Sequence, residues 1–108
     1  MKMALLSHRG DNVATLLEDV SAEPVQLTGV AGLPPVLAIG RIERAHKIAV
    51  TSIGPGSPVI KYGVAIAIAT APIEAGEWVH LHNCRSQVDE RSSRFAAGVE
   101  SGSEQRYA

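Results

Sequence analysis

The sequence has one cysteine, and aromatic residues make up only 4% of its 108 positions. A single cysteine excludes an internal disulfide framework and is typical of a reducing cytoplasm. The scarcity of aromatic rings predicts a core of Val, Ile, Leu and Ala side chains. With 45% hydrophobic and 19% charged residues, the composition is that of a folded chain and not of a disordered one.

An excess of charge of either sign is also missing, because ten Lys and Arg balance eleven Asp and Glu to a net charge of -1. Without a basic excess, a nucleic-acid backbone is not an expected partner. No segment approaches the roughly 20 apolar residues of a membrane span, and the apolar run near the N-terminus is too short for a signal peptide. We therefore expect a single cytoplasmic domain that contacts neither nucleic acid nor membrane.

Short apolar segments separated by Gly and Pro turns, without helical periodicity, predict an all-β domain of short strands and hairpins. The clearest strand pattern is residues 64–70, where Val or Ile alternates with Ala. The other predicted strands are residues 5–6, 13–17, 25–27, 36–39, 47–53, 59–62 and 78–82. Predicted loops are residues 19–24 and 28–35, and a surface turn is predicted at 41–44.

A seven-residue pattern at 53–59 recurs at 73–79, with apolar ends and a glycine in the fourth place, Gly56 or Gly76. A third copy at 20–25 is one residue shorter and lacks the glycine. In each copy a strand ends at Ile or Val, and a new strand begins with Val after a tight turn. The glycine is predicted to supply the positive φ that such turns require.

The last part of the chain differs in composition, with mixed charges and few apolar residues. We place a domain boundary after Asn83, which gives a domain at 1–83 and a polar tail at 84–108. The tail is predicted to be a flexible or partner-dependent segment, or to form a short helix at 87–97. Cys84 has no Cys or His neighbour at zinc-site spacing and is expected to be inert.

His80 and His82 lie two residues apart, so in a strand both side chains would project from one face. Two imidazoles on one face indicate either a metal-binding or catalytic edge or an ordinary polar strand face. Histidine suits proton transfer, since its unperturbed pKa is about 6.5. The spacing alone leaves both interpretations open.

Four short motifs occur in order along most of the chain. They are His8-x-x-Asp11-Asn12-Val13-Ala14, His46-Lys47-Ile48-Ala49, Val59-Ile60-Lys61-Tyr62-Gly63 and Val79-His80-Leu81-His82-Asn83. This combination resembles the SAF domain of the altronate/galactarate dehydratase family over residues 6–83. The small subunit of sulfolactate sulfo-lyase looks similar.

The resemblance implies a compact β-clip fold and a separate large catalytic subunit as partner. The leading expectation is the small subunit of a carbon–oxygen hydro-lyase that dehydrates a sugar acid such as altronate and is inactive without the large subunit. A small subunit of a sulfolactate-type sulfo-lyase is the close alternative. A non-catalytic β-clip module that binds a ligand or partner is the alternative from another class, and a homo-oligomer is compatible with each.

The chemistry that the resemblance implies is β-elimination beside a small carboxylate substrate. A base removes the α-proton, and a divalent metal, Fe²⁺ or Mn²⁺, stabilises the enediolate as a Lewis acid. All four histidines fall within the motifs, so His8, His46, His80 and His82 become the candidate catalytic residues. His80 and His82 are also the candidate metal ligands.

Five polar residues of the motifs are candidates for substrate binding: Asp11, Asn12, Lys47, Lys61 and Asn83. Structural alternatives stay open, because Asp11 and Asn12 could cap a turn and Asp11 could orient His8. The lysines could bind a carboxylate or sulfonate as point charges, or lie solvated at strand edges. The aromatic residues Tyr62 and Trp78 are expected to face a partner or fill the core and not to act as stacking platforms.

Overall fold

A computed structural model of the protein describes residues 1–86, which contain eleven short strands and no helix. The strands are β1 (Lys2–Leu5), β2 (Val13–Leu16), β3 (Val20–Ser21), β4 (Pro24–Thr28), β5 (Val36–Leu37), β6 (Arg41–Ile42), β7 (Lys47–Ala49), β8 (Pro58–Lys61), β9 (Val64–Ala69), β10 (Trp78–Val79) and β11 (Cys84–Ser86). The all-β prediction is confirmed. Residues 1–86 accordingly form no helix that could cross a membrane.

The strands form three hydrogen-bonded groups. Six strands make a mixed sheet in the order β10-β7-β2-β1-β4-β5, in which only the β1–β4 pair is parallel. A second sheet has the order β11-β9-β8, and β3 pairs with β6. β2 and β7 are neighbouring interior strands of the larger sheet.

Successive side chains of β2 and β7 point to opposite faces of the sheet, as the pleat requires. Ala14 and Ile48 belong to one buried cluster, whereas Val13 and Ala49 belong to a second. Both clusters consist of aliphatic residues, apart from Cys84 in the second. The predicted aliphatic core is confirmed, and it is divided into two parts by these strands.

The sequence repeat corresponds to a structural repeat. Ile53 and Ile73 occupy equivalent places and bond to each other, with N–H···O distances of 2.8 and 2.9 Å in the two directions. Gly56 has a φ of 83° and Gly76 a φ of 94°. The predicted positive φ of both glycines is confirmed.

Each copy also bonds to the strand that precedes the other copy. The Gly56 N–H donates to the Ala69 carbonyl at 2.8 Å, and the Gly76 N–H donates to the Ala49 carbonyl at 2.7 Å. Gly76 has a second constraint, because a Cβ at this position would lie 2.0 Å from the Leu37 carbonyl oxygen. Each loop is thus held by the strand that leads into the other loop.

Two loop predictions are wrong. Residues 19–24 contain β3 and the first residue of β4, and residues 41–44 begin with β6, which pairs with β3. The physical reason is that Val20 and Ile42, each 1% exposed, join the first core through a two-residue pairing that has no visible periodicity. In this third copy Ala22 takes the positive φ, at 49°, without a glycine.

Three predicted strands end two or more residues early. The strand predicted at 36–39 ends at Leu37, the strand predicted at 47–53 ends at Ala49, and the strand predicted at 78–82 ends at Val79. Beyond the boundary predicted after Asn83, β11 pairs with β9 and extends the second sheet. The predicted helix at 87–97 and the rest of the tail lie outside the described residues.

Candidate functional site

Three histidines meet at the single tryptophan. The Trp78 indole Nε1–H donates to His46 Nδ1 at 3.0 Å. The His80 ring stacks on the indole with centroids 5.1 Å apart and planes 11° apart, and the His82 ring lies 4.9 Å from it at 38°. The His46 and His80 centroids are 5.4 Å apart. We call these four side chains the imidazole–indole cluster.

A turn, and not a strand, brings His80 and His82 to the tryptophan. Asn83, only 3% exposed, accepts a bond from the His80 N–H at 3.0 Å and donates through Nδ2 to the Trp78 carbonyl at 2.9 Å. The prediction that the two histidines share a strand face is therefore wrong. Their shared contact with Trp78 depends on the buried Asn83 amide.

The ring nitrogens of the cluster differ in the protons they hold. Partial burial lowers the pKa of His80, and the positive charges of His46, Lys47 and His82 lower it further. His80 is therefore neutral near neutral pH and can accept a proton. In neutral His46 the proton lies on Nε2, because Nδ1 accepts the indole N–H.

Lys47 is half-buried in β7, directly opposite Val79 of β10 and Thr15 of β2. Burial lowers the pKa of Lys47, and the positive charge of Lys61 lowers it further. The ion pairs found within residues 1–86 involve Arg41 and neither lysine. Lys47 and Lys61 therefore have no carboxylate partner among the described residues.

Lys61 ends β8, and the next two residues form the turn to β9. Tyr62 and Gly63 have φ values of 58° and 72°. Positive φ at both central residues defines a type I′ hairpin turn. The Lys61 Nζ lies 5.0 Å from the centroid of the exposed Tyr62 ring, which is the geometry of a cation–π contact.

The carboxylate of Asp11 caps this turn. Its Oδ2 accepts the Tyr62 N–H at 2.9 Å and its Oδ1 accepts the Gly63 N–H at 2.7 Å, while the side chain is buried, with the residue 6% exposed. Asn12 accepts the Ile60 N–H at 2.7 Å and donates to the Pro58 carbonyl at 3.0 Å. We call these contacts the hairpin clamp.

His8 lies at the clamp and not in the cluster. A Cβ on Gly63 would come within 3.3 Å of the His8 ring, and His8 Nδ1 accepts the Gly10 N–H at 3.0 Å. Both carboxylate oxygens of Asp11 bind the turn amides, so turn capping describes its contacts better than the orientation of His8. Substrate binding by Asp11, Asn12 and Asn83 stays a prediction, although their polar atoms already bind backbone groups.

The histidine arrangement limits how a metal could bind. Across residues 1–86, no three His, Cys, Asp or Glu side chains lie together in a way that could hold a metal ion. His80 and His82 could supply two imidazole ligands, so a divalent metal here would need ligands from outside the described residues. Cys84 does not add one readily, because its Sγ donates to the His80 carbonyl at 3.2 Å and burial raises the pKa of its thiol.

Trp78 is the residue whose place in the site was not anticipated from the sequence. It packs against the first core, as expected for a core residue, and the His80 ring stacks on its indole. A tryptophan with histidines two and four residues later, beside an asparagine, was the available signal. A shallow pocket of about 210 Å³ adjoins Trp78 and His46 and is also lined by Arg41, Ile42 and Glu43.

The family of the chain follows from comparison with known proteins. The model of the altronate/galactarate dehydratase SAF domain matches residues 2–87. The chain belongs to this family. Altronate dehydratase of Escherichia coli (strain K12) is 40% identical over 83 residues, which cover 77% of this chain and 16% of that enzyme. Altronate dehydratase of Bacillus subtilis (strain 168) is 33% identical over 91 residues, which cover 83% and 18% respectively.

This SAF domain therefore corresponds to a small part of those relatives. The chain spans about one sixth of the length of the altronate dehydratases it matches. The matched region contains the imidazole–indole cluster, the hairpin clamp and both lysines, and it includes all of β11. The clamp and the cluster thus lie within the SAF-domain region of this chain.

Proposed function

We propose that this chain supplies the cationic face of a sugar-acid dehydratase active site and works as a small subunit with a separate large catalytic chain. The observation that carries the proposal is Lys47, which is half-buried in β7 opposite Val79, the residue before His80, and has no ion-pair partner among residues 1–86. A buried charge without a partner is unfavourable. A substrate carboxylate would neutralise it.

The substrate class is proposed from the family and the charge together. The matched relatives are altronate dehydratases, and altronate carries a carboxylate that two ammonium groups can bind as point charges. In the proposed reaction this carboxylate accepts negative charge when the α-proton leaves. Lys47 and Lys61 would stabilise that charge where it develops.

Proton transfer is assigned to the imidazole–indole cluster. His80 would accept the α-proton, since its lowered pKa keeps the ring neutral, and the C–H electron pair would move toward the carboxylate. The β-hydroxyl would then leave as water after receiving a proton. His46 presents Nε2–H while Trp78 occupies Nδ1, so it is the candidate donor.

We expect the proposed active site to contain a divalent metal, Fe²⁺ or Mn²⁺. Such an ion would act as a Lewis acid on the substrate oxygens. We expect most of its ligands to come from the large chain, with His80 and His82 as candidate contributors. Metal analysis of the purified complex, compared with a His80→Ala/His82→Ala complex, tests that contribution directly.

The first experiment measures binding to the full-length chain alone. Trp78 is the only tryptophan and lies in the cluster, so altronate binding should change its fluorescence. Lys47→Met and Lys61→Met should each abolish the saturable change. Lys2→Gln is the matched control, because Lys2 Nζ instead donates to the Asp19 carbonyl at 2.9 Å and should leave the titration unchanged.

The second experiment measures dehydration of altronate by the complex with the large chain. We expect His80→Ala to lower kcat by about 10²-fold or more, in the range of lost general acid–base catalysis. Sulfolactate is assayed in parallel, and elimination of sulfite from it alone would favour the sulfo-lyase alternative. Full altronate dehydration by Lys47→Met, Lys61→Met and His80→Ala complexes would refute the proposal.

A further inference from the structure

Tyr62 has a backbone conformation that its residue type disfavours. It is the first central residue of the type I′ turn, at a φ of 58°, where Gly, Asn or Asp is usual because a Cβ is crowded there. Its side chain is 64% exposed, so core packing does not explain the choice of tyrosine. A strained residue that gains nothing from burial points to a use for its side chain.

The hairpin clamp holds this strained turn in place. Asp11 binds the amides of both turn residues, Tyr62 at 2.9 Å and Gly63 at 2.7 Å, and is itself buried. Asn12 binds the backbone of β8 on both sides of Val59. The turn is therefore fixed to the loop that precedes β2, about fifty residues earlier in the chain.

The ring of Tyr62 has one described partner, the Lys61 ammonium at 5.0 Å from its centroid. A lysine side chain at the end of an exposed hairpin has many rotamers, and a cation–π contact selects among them. Asparagine or glycine would suit the backbone better but would leave the ammonium without this contact. The presence of tyrosine at this position is thus explained by the contact through which its ring restricts the side chain of Lys61.

We propose that Asp11 and Tyr62 are positioning residues that fix the place of the Lys61 ammonium at the end of β8, a role that rests on the carboxylate site proposed above. Asp11 fixes the backbone of the turn, and the Tyr62 ring fixes the side chain that precedes it. This role does not require either residue to touch the substrate. Their effect on carboxylate binding is transmitted through Lys61.

The test follows the titration of Lys47 in the full-length chain without substrate, using the ¹³Cε signal that is lost in Lys47→Arg. Lys61, His80 and Cys84 are the titratable groups that interact with Lys47. In the wild type the pKa of Lys47 should lie below 10.5, and Lys61→Gln should raise it by removing one positive charge.

Tyr62→Asn is the decisive variant, because asparagine tolerates the turn and the chain should fold at least as stably. We expect it to raise the Lys47 midpoint by at least half of the shift caused by Lys61→Gln, whereas Tyr62→Phe should match the wild type. Asp11→Asn should shift the midpoint in the same direction. Ala22→Gly is the control, since it relieves a positive φ of 49° at a distant turn.

An unchanged Lys47 midpoint in Tyr62→Asn, together with a clear shift in Lys61→Gln, would overturn the positioning role. Equal shifts in Tyr62→Phe and Tyr62→Asn would also overturn it, because the ring would then be irrelevant. The titration contains no altronate, so it is read independently of the proposed function. If the midpoints shift as expected but the wild type binds no altronate, the substrate assignment fails and the positioning role stands.

Discussion

The imidazole–indole cluster and the hairpin clamp both contain motif residues, but these residues use their polar atoms differently. In the clamp, Asp11 and Asn12 bind backbone groups of β8 and its turn. In the cluster, the rings of His80 and His82 pack against the Trp78 indole, so their ring nitrogens are not needed to hold the fold. The difference indicates that the clamp stabilises the fold, whereas the cluster leaves ring nitrogens free for the chemistry proposed above.

Among the changes considered, Asp11→Ala should lower the free energy of unfolding the most. This change leaves two turn amides without a partner beside a buried position, and hydrogen bonds to charged groups contribute about 1.5–3 kcal/mol each. We expect the free energy of unfolding to fall by about 3 kcal/mol in urea titrations. Asp19→Ala is the matched control and should cause a smaller loss, because Asp19 accepts the Arg44 N–H at an exposed position. Equal losses would contradict the scaffold role.

Asn83→Ala should have the next largest effect, since Asn83 is a scaffold residue inside the cluster. Loss of both amide bonds should lower the free energy of unfolding by about 2 kcal/mol and should release His80 from Trp78. Asn83→Asp keeps the acceptor for the His80 N–H but loses the donor to the Trp78 carbonyl, so its loss should be intermediate. If Asn83→Asp lowers the free energy of unfolding as much as Asn83→Ala does, the stabilisation comes from the bond that Nδ2 donates to the Trp78 carbonyl.

Protonation of His80 is expected to destabilise the fold moderately. Its pKa in the folded chain is below the ordinary 6.5, so the unfolded chain takes up the proton first as the pH falls. The free energy of unfolding should therefore decrease as the pH falls below about 6.5, a range to be measured above the carboxylate titrations near pH 4. His80→Gln should flatten this slope. If His80→Gln keeps the same pH dependence of the free energy of unfolding, another group is responsible for that dependence.

His82→Ala should have the smallest effect on the fold. His82 is exposed, and such substitutions usually change stability by less than about 0.5 kcal/mol. Its ring nevertheless lies 4.9 Å from the indole, so the fluorescence of Trp78 should change. Unfolding curves and emission spectra of the same sample separate the two readouts. A loss of stability as large as that of Asn83→Ala would place His82 in the scaffold.

Part of this architecture could be read from the sequence because it rests on local rules. Alternation at 64–70 predicted β9, and the matched glycines predicted two turns at positive φ. The pairing of β3 with β6 could not be read, because strands of two residues have no period. The turn at 80–83 was also missed, since its stability comes from one asparagine side chain bound to Trp78 and His80.

The candidate site was predictable as a set of residues but not as a geometry. Family motifs selected His46 and His80, yet their proximity depends on the pairing of β7 with β10. The same motifs selected Lys61, whose place depends on the hairpin between β8 and β9. Asp11 had a turn-forming signal, but nothing in its neighbourhood indicated that its partners are the amides of Tyr62 and Gly63. Contacts across fifty residues are set by the assembled sheets and not by spacing.

The reciprocal bonding of the two repeat copies has a consequence for local opening. Because Ile53 and Ile73 exchange both of their bonds, neither loop can separate without freeing the other. The two copies should therefore open as one cooperative unit in native-state hydrogen exchange. The amides of Gly56 and Gly76 should share a single opening free energy, although twenty residues separate them.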